Sequence, residues 1–323
     1  MFQSLKDIAD KILSAKLKRK KKIGLALGSG SARGWSHIGV IRALSDAGIK
    51  PDCIAGTSMG ALVGSFYAAG SIDELEEFAR NFDWKQLSSF IDISLPRTGL
   101  IEGRKLSDFF HKHLKDMNIE DTDIPLATVA TDLNTGTEVI IRKGSLIDAV
   151  RASISVPGVF TPVQLNNMLL VDGGLVNPVP VSVLKEMGAD IVIAVDLNHD
   201  LLTSSEISIK DKDELIKKSE SENRIIKELN TYVKANPTSA FASIQEWFAP
   251  KQIPNIFEIM YRSIDIASVK ITKTNYQSYP ADILIQPNLG HIGFFEFHKA
   301  SEAIKEGYWH TNEKVHSCKI SKQ

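Results

Sequence analysis

The apolar positions of residues 23–198 fall into two kinds of stretch. Short apolar-rich runs occur at Ile23 to Leu27, Cys53 to Ala55, Leu126 to Leu133, Leu169 to Val171 and Ile191 to Val195. Such runs predict strands, and the unbroken one from Ile191 to Val195 has the character of a buried parallel strand. Between them lie stretches with helical spacing. Ile38, Ile41 and Leu44 recur every three residues, with Val40 beside them. Ala61 to Ala69 reads as a small-residue apolar helix. Leu75, Phe78 and Ala79 follow Ser71-Ile72-Asp73-Glu74, a capping box in which Ser71 caps and Glu74 reaches back. A helix is predicted over Gly103 to Met117, with Leu106, Phe109, Phe110 and Leu114 on its apolar face. Asn134-Thr135-Gly136 turns the chain into a return strand, Glu138 to Arg142, forming a hairpin. One further helix runs from Ser145 to before Pro157; another starts at Pro178 and Pro180 and stops at Gly188. This alternation predicts an α/β domain with a mostly parallel central sheet and helices on both faces.

Both ends depart from this pattern. Phe2, Leu5, Ile8, Ile12 and Leu13 lie mostly three and four apart, and a basic cluster, Lys18-Arg19-Lys20-Lys21-Lys22, follows. A basic amphipathic helix suits an anionic membrane surface; it equally suits a helix packed on the domain with a solvated charge run behind it. Beyond Asn198, Leu201 to Asn230 is polar and charged, the composition of a mobile insertion or of exposed helices. Phe241, Trp247, Phe248, Ile256, Phe257 and Met260 then form a dense apolar stretch, suited to a lid, a lipid contact or packing on the domain. Ala281 to Gln286 is a last strand, and Ala300, Ile304 and Gly307 mark a last helix. The chain therefore divides into residues 1–22, 23–198, 199–280 and 281–323.

Composition narrows the function classes. The 323 residues are 43% hydrophobic and 24% charged, which is ordinary for a globular protein. A net charge of −1 argues against nucleic acid as a partner. Two cysteines, Cys53 and Cys318, build no disulfide framework and fit the cytoplasm, with the basic N-terminus allowing peripheral contact with the inner membrane surface. No Cys/His cluster has metal-ligand spacing, so no metal is expected, and no apolar run reaches the ~20 residues that span a bilayer.

Two glycine-bearing turns carry the candidate chemistry. The first strand runs into Gly28-Ser29-Gly30-Ser31-Ala32-Arg33-Gly34, ahead of a helix. That layout offers backbone N–H groups to an anion, either a dinucleotide pyrophosphate or the oxyanion of an attacked carbonyl. The dinucleotide fingerprint is incomplete: the third glycine is one place late, and the nearest acid, Asp52, precedes the second strand. The oxyanion is the better match. The second turn, Gly56-Thr57-Ser58-Met59-Gly60, has the pattern of a nucleophile elbow, whose serine is pushed out between strand and helix. Its structural alternative is a tight turn with a capping serine.

Gly28 to Gly34 followed by Gly56 to Gly60 resembles the opening of a patatin-like phospholipase. Ala149 to Ser153, Val156 to Phe160, and Val171-Asp172-Gly173-Gly174 resemble that family's later segments, in the same order, over about Lys22 to Asn198. The resemblance implies a patatin-like three-layer fold and a lipid acyl hydrolase that needs no cofactor. It implies a Ser-Asp dyad of Ser58 and Asp172, with Gly173 and Gly174 letting the backbone approach the serine. It implies an oxyanion site drawn from Gly28, Gly30, Ser31, Arg33, Gly34 and Met59, with Gly56 and Gly60 shaping the elbow. Phospholipids or related acyl esters become the expected substrates, and the C-terminal strand and helix are expected to return to the main sheet. A carboxylate serving as base at neutral pH calls for a partly dry site.

Two other readings stay open. In an α/β-hydrolase triad the order is Ser, Asp, His, and His199, His291 or His298 supplies the third member. Alternatively the chain binds lipid without turning it over. Oligomeric state and acyl preference have no signature in the residues.

Overall fold

The protein's structure, a computed structural model, describes residues 21–82, 104–114, 116–202 and 256–319. The expected N-terminal amphipathic segment and most of the 199–280 insertion therefore lie outside the described residues. The sheet is centred on β1 (Ile23–Leu27), which pairs in parallel with β2 (Cys53–Thr57) on one side and β7 (Ile191–Val195) on the other. Beyond β7 lies β8 (Ile283–Ile285), also parallel, so the C-terminal part does rejoin the sheet. β3 (Leu126–Asp132) runs parallel to β2.

On the far side the sheet turns antiparallel. β3 pairs with β4 (Glu138–Ile141) as the predicted hairpin, and with β6 (Met168–Asp172). β6 pairs in turn with β5 (Val163–Leu165), a strand that the hydrophobic pattern does not reveal. The sheet is thus mixed, parallel at its centre and antiparallel at one margin. The register shows how one strand serves three partners. Thr128 and Val129 face β2 on one edge and β4 on the other, while Ala130 and Thr131 face β6 and β4. β2 leaves the edge of β3 after Val129, and β6 occupies the same edge from Ala130 onward. The C-terminal ends of β2 and β6 therefore meet head to head.

Apolar side chains cover both faces. One face packs α1 (Ser36–Asp46), α2 (Met59–Ala68), α3 (Ile72–Arg80), α4 (Arg104–Leu114), α5 (Leu146–Ser153) and α8 (Ala300–Lys319) over Leu25, Leu27 and Ile54. The other packs α6 (Val181–Glu186) against Ala26, Ala55 and Val192, with Tyr276 of α7 (Ile256–Ser278) at the margin. Ser71 precedes α3 as predicted, but its hydroxyl does not cap it. It donates instead to the carbonyl of His113 at 3.2 Å, tying α3 to α4.

α8 lies across α1 at a contact too close for side chains. A Cβ placed on Gly39 would strike the Ile304 carbonyl, and one on Gly307 would strike the Ser36 carbonyl. Both obstructions are backbone, which cannot rotate away. Gly307→Ala is expected to destabilise the fold by about 1–3 kcal/mol through overpacking. The check is the urea midpoint at unchanged slope; a midpoint equal to wild type would show that α8 can lift off α1 at no cost.

Candidate active site

Ser58 stands between β2 and α2 with φ 56° and ψ −124°, a conformation that costs an L-residue energy and is kept only where the surroundings enforce it. Those surroundings are tight. A Cβ at Gly60 would sit on the Leu27 carbonyl, so α2 starts directly against the end of β1. The Ser58 N–H donates to Ser153 Oγ at 2.9 Å, and Ser153 Oγ donates to the Val129 carbonyl at 2.6 Å. The C-terminus of α5 thereby ties the elbow to β3.

Asp172 ends β6 and reaches the serine from the opposite direction. Ser58 Oγ donates to Asp172 Oδ2 at 2.6 Å, and the Gly174 N–H donates to Oδ1 at 2.7 Å. Its backbone is fixed on both sides, by its own N–H to the Ser155 carbonyl and by Thr131 Oγ1 donating to its carbonyl. Gly173 follows because a Cβ there would collide with the Val129 carbonyl. Asp172 is 6% exposed, and desolvation raises its pKa from 3.8 to about 6, against the lowering effect of its two hydrogen bonds.

The glycine loop lies beside this pair as a 3-10 turn, Ser31–Trp35. Ser31, like Ser58, has positive φ, at 47°. Its amides divide into two groups. The Gly28 N–H donates to the Val195 carbonyl and the Arg33 N–H to the Gly30 carbonyl, so neither faces an anion. These two positions shape the loop rather than donate from it, which corrects their assignment to the oxyanion site. Gly34 lies inside the turn, pressed against the Met59 side chain. The N–H groups of Gly30 and Ser31, and of Met59 at the first turn of α2, find no acceptor among the described residues. They are the amides free to receive a negative oxygen beside Ser58.

Histidine takes a different place from the one a triad needs. His37 is fully buried under the glycine loop, its Nε2 donating to the Gly28 carbonyl at 2.7 Å, and burial lowers its pKa to about 4. It is a neutral strut. His291 is exposed and pairs with Glu302 at 2.8 Å, His298 is exposed, and His199 lies 3.9 Å from Asp200. None of these three is among the residues lining the two recesses described below at Ser58.

Two recesses meet at Ser58. The larger holds about 960 Å³ of empty space, part of it open to solvent, between Trp35, Phe78, Phe109, Phe160, Phe294 and Phe297. Its walls are almost wholly apolar. The smaller is mixed: Asp172, Ser29, Arg33, Asn198, Asp265 and Ser268 line it together with Val156, Pro157, Leu175, Ile264 and Phe294, and it alone of the two carries charged groups. Sequence reasoning missed Ser153, Asn198 and Asp265, together with the convergence of the phenylalanines. Ser153 lies in a recognised segment but carries no signal of its own, and the aromatics come from segments more than two hundred residues apart. Among the described residues no group of three or more His, Cys, Asp or Glu could hold a metal ion, and no helix is long and apolar enough to cross a membrane.

The site thus joins a strained serine on a strand-to-helix elbow to a buried carboxylate, beside amides without an acceptor among the described residues. The chain belongs to the patatin-like phospholipase family, whose family model matches residues 25–185. It is 33% identical to an uncharacterized NTE family protein of Mycobacterium tuberculosis, over 88% of this chain and 89% of that one. It is 31% identical to the lysophospholipase NTE1 of Kluyveromyces lactis over 88% of this chain, which corresponds to 18% of the much longer relative. It is 37% identical to the neuropathy target esterase sws of Drosophila melanogaster, over 54% of this chain and 13% of the relative. Membership of this family supports a lipid hydrolase.

The raised pKa of Asp172 has a consequence for stability. The folded state keeps this proton up to about pH 6, whereas the unfolded chain loses it near 3.8. The stabilisation is complete below the unfolded value and is lost as pH rises through the folded one. Asp172→Asn, which carries no charge to desolvate, is expected to exceed wild type in stability by about 1–3 kcal/mol at pH 8. The advantage shrinks between pH 6 and 4. Urea unfolding at several pH values measures it, and a difference independent of pH would count against a buried, ionising Asp172.

Proposed function

We infer that the protein is a serine lipid acyl hydrolase, cleaving carboxylic esters of phospholipids or related lipids through Ser58 and Asp172. The observation that carries this is the 2.6 Å hydrogen bond from the Ser58 hydroxyl to the Asp172 carboxylate, buried at the mouth of an aromatic-lined recess. A serine hydroxyl needs a base, and among the described residues the side chain that accepts its hydrogen bond is a carboxylate whose pKa is lifted toward neutrality.

The reaction follows in two halves. Ser58 Oγ attacks the ester carbonyl as its proton passes to Asp172. Negative charge builds on the carbonyl oxygen, where the Gly30, Ser31 and Met59 amides receive it; one such donor is typically worth about 10²–10³ in rate. The tetrahedral adduct then collapses, the alkoxide leaves with the proton from Asp172, and Ser58 retains the acyl group. Water then attacks the acyl-enzyme as its proton passes to Asp172; the second adduct collapses to the fatty acid, and Ser58 Oγ leaves taking that proton back, which restores both residues. The aromatic recess suits the acyl chain, and the smaller recess suits the alcohol. The names of two relatives, a lysophospholipase and an esterase, agree with this substrate class.

Hydrolysis of a panel of p-nitrophenyl esters, lysophospholipids and diacyl phospholipids tests the reading. Ser58→Ala and Asp172→Asn are each expected to lose activity by about 10⁴-fold or more. For wild type, kcat/KM should fall tenfold per pH unit below about pH 6, as the Asp172 carboxylate gains a proton, and level off above it. Alanine at His199, His291 and His298 should leave the profile in place. An enzyme silenced by one of those histidine changes would replace the dyad with a triad.

A further inference from the structure

The amides of Gly30 and Ser31 are useful only if the loop that carries them is held still, and that loop contains a buried cation. Arg33 is 3% exposed. Its Nη2 lies 3.3 Å from Asp265 Oδ1 and 3.3 Å from Asn198 Oδ1, and its Nη1 reaches the Ile292 carbonyl at 3.4 Å. Asn198 also donates through Nδ2 to Ser29 Oγ at 3.3 Å. Gly30 and Ser31 therefore sit between two anchored neighbours, Ser29 and Arg33. A third anchor is the Phe294 carbonyl, which accepts from the Ala32 N–H at 3.2 Å and from Ser31 Oγ at 2.5 Å. Of these hydrogen-bond partners Asp265, on α7, is the one anion, and Asp200 adds a second negative charge that favours the guanidinium. A guanidinium this deeply buried needs a compensating carboxylate, because taking an unpaired charge out of water is costly.

We propose that Asp265 is a positioning residue of the active site: through its ion pair with Arg33 it fixes the glycine loop so that the Gly30 and Ser31 amides point at the reacting carbonyl. This rests on the oxyanion role given to those amides above. Asp265 lies 80 residues beyond the end of the family match and touches Ser58 and Asp172 by no hydrogen bond. Its pairing with Arg33 turns the arginine's Nη2 toward the protein. Because the geometry of oxyanion donors is felt in the transition state more than in substrate binding, loss of the pair should appear in kcat rather than KM.

The test uses the full chain carrying Asp265→Asn, Asp265→Leu, Arg33→Met and the Arg33→Met/Asp265→Leu pair. Two readouts are taken: kcat and KM on a short-chain p-nitrophenyl ester, and hydrogen exchange of the peptide spanning residues 28–35. Asp265→Leu should lower kcat about ten- to a hundredfold with KM within about twofold, and should speed exchange in that peptide. Asp265→Asn, which keeps an acceptor, should fall between it and wild type. In the Arg33→Met background the Asp265→Leu change should cost much less than in wild type, since the two residues act as one unit. Independent, multiplying losses would overturn the proposal, as would a lowered melting temperature with kcat and the 28–35 exchange unchanged. If wild type hydrolyses no ester, that failure falls on the hydrolase reading, and the exchange of residues 28–35 still decides whether Asp265 holds the loop.

Discussion

The site depends on a change of partner along one edge of β3. β2 occupies that edge as far as Val129 and β6 takes it over at Ala130, running the opposite way. Two strands that run toward each other and stop on neighbouring residues of a third must bring the side chains at their ends together. Ser58 and Asp172 are those side chains, separated by 113 intervening positions in the chain yet within one hydrogen bond in space. Most of the local chemistry serves this junction. Gly173 is small because the Val129 carbonyl lies directly against it, and Ser153 bridges that same carbonyl to the Ser58 N–H. Without the junction the elbow would be an isolated strained turn, and Asp172 an ordinary strand-terminal carboxylate.

The same arrangement sets the electrostatics. A carboxylate at an exposed strand end titrates near 4 and would be a weak base at neutral pH. Burial against the elbow raises Asp172 to about 6. The two hydrogen bonds it accepts oppose that rise, so the site is a balance between drying the carboxylate and keeping it ionised. A site of this kind is expected to reduce stability at working pH, and the positive φ of both Ser31 and Ser58 adds to the same side. The central parallel strands, buried on both faces, and the tight α1–α8 contact supply the stability that tolerates it.

Much of this was legible in the residues, and the parts that were not share a cause. Ile23 to Leu27 announces a strand by its apolar run and Ile191 to Val195 a buried one by its unbroken apolarity, and the Gly56 to Gly60 spacing announces the elbow. Local patterns report local structure. β5 escapes because Val163, Gln164 and Leu165 are too few to show a period, and their pairing with β6 is a matter of tertiary register. The sharing of β3 between β2 and β6 has no sequence trace for the same reason. Ser71 shows the converse. Its spacing from Glu74 reads as a capping box, but the nearby His113 carbonyl takes the hydroxyl instead. Glycine in the loop at Gly28 and Gly34 marks a tight turn whose amides the sequence reads as an anion site. Which amides are free depends on Val195 and Gly30 carbonyls that only the fold brings into range.

Of the two recesses at Ser58 only the smaller carries charged side chains, and this has a bearing on direction. Asp172 lines the smaller recess and not the aromatic one. On the hydrolase reading, the ester has one orientation in which everything is satisfied. Its acyl chain enters among Phe78, Phe109 and Phe297, where burying methylenes is worth about 0.8 kcal/mol each. Its alcohol then lies on the side where Asp172 holds the proton that the leaving oxygen requires. The reverse orientation would put a polar head among aromatic rings and carry the leaving oxygen away from its acid. Ser31 and Ser58 line both recesses, so the carbonyl between the two halves of the substrate falls beside the free amides. Orientation of the substrate is thus set by solvation across the whole molecule, while the few groups at the junction act only on the atoms that react.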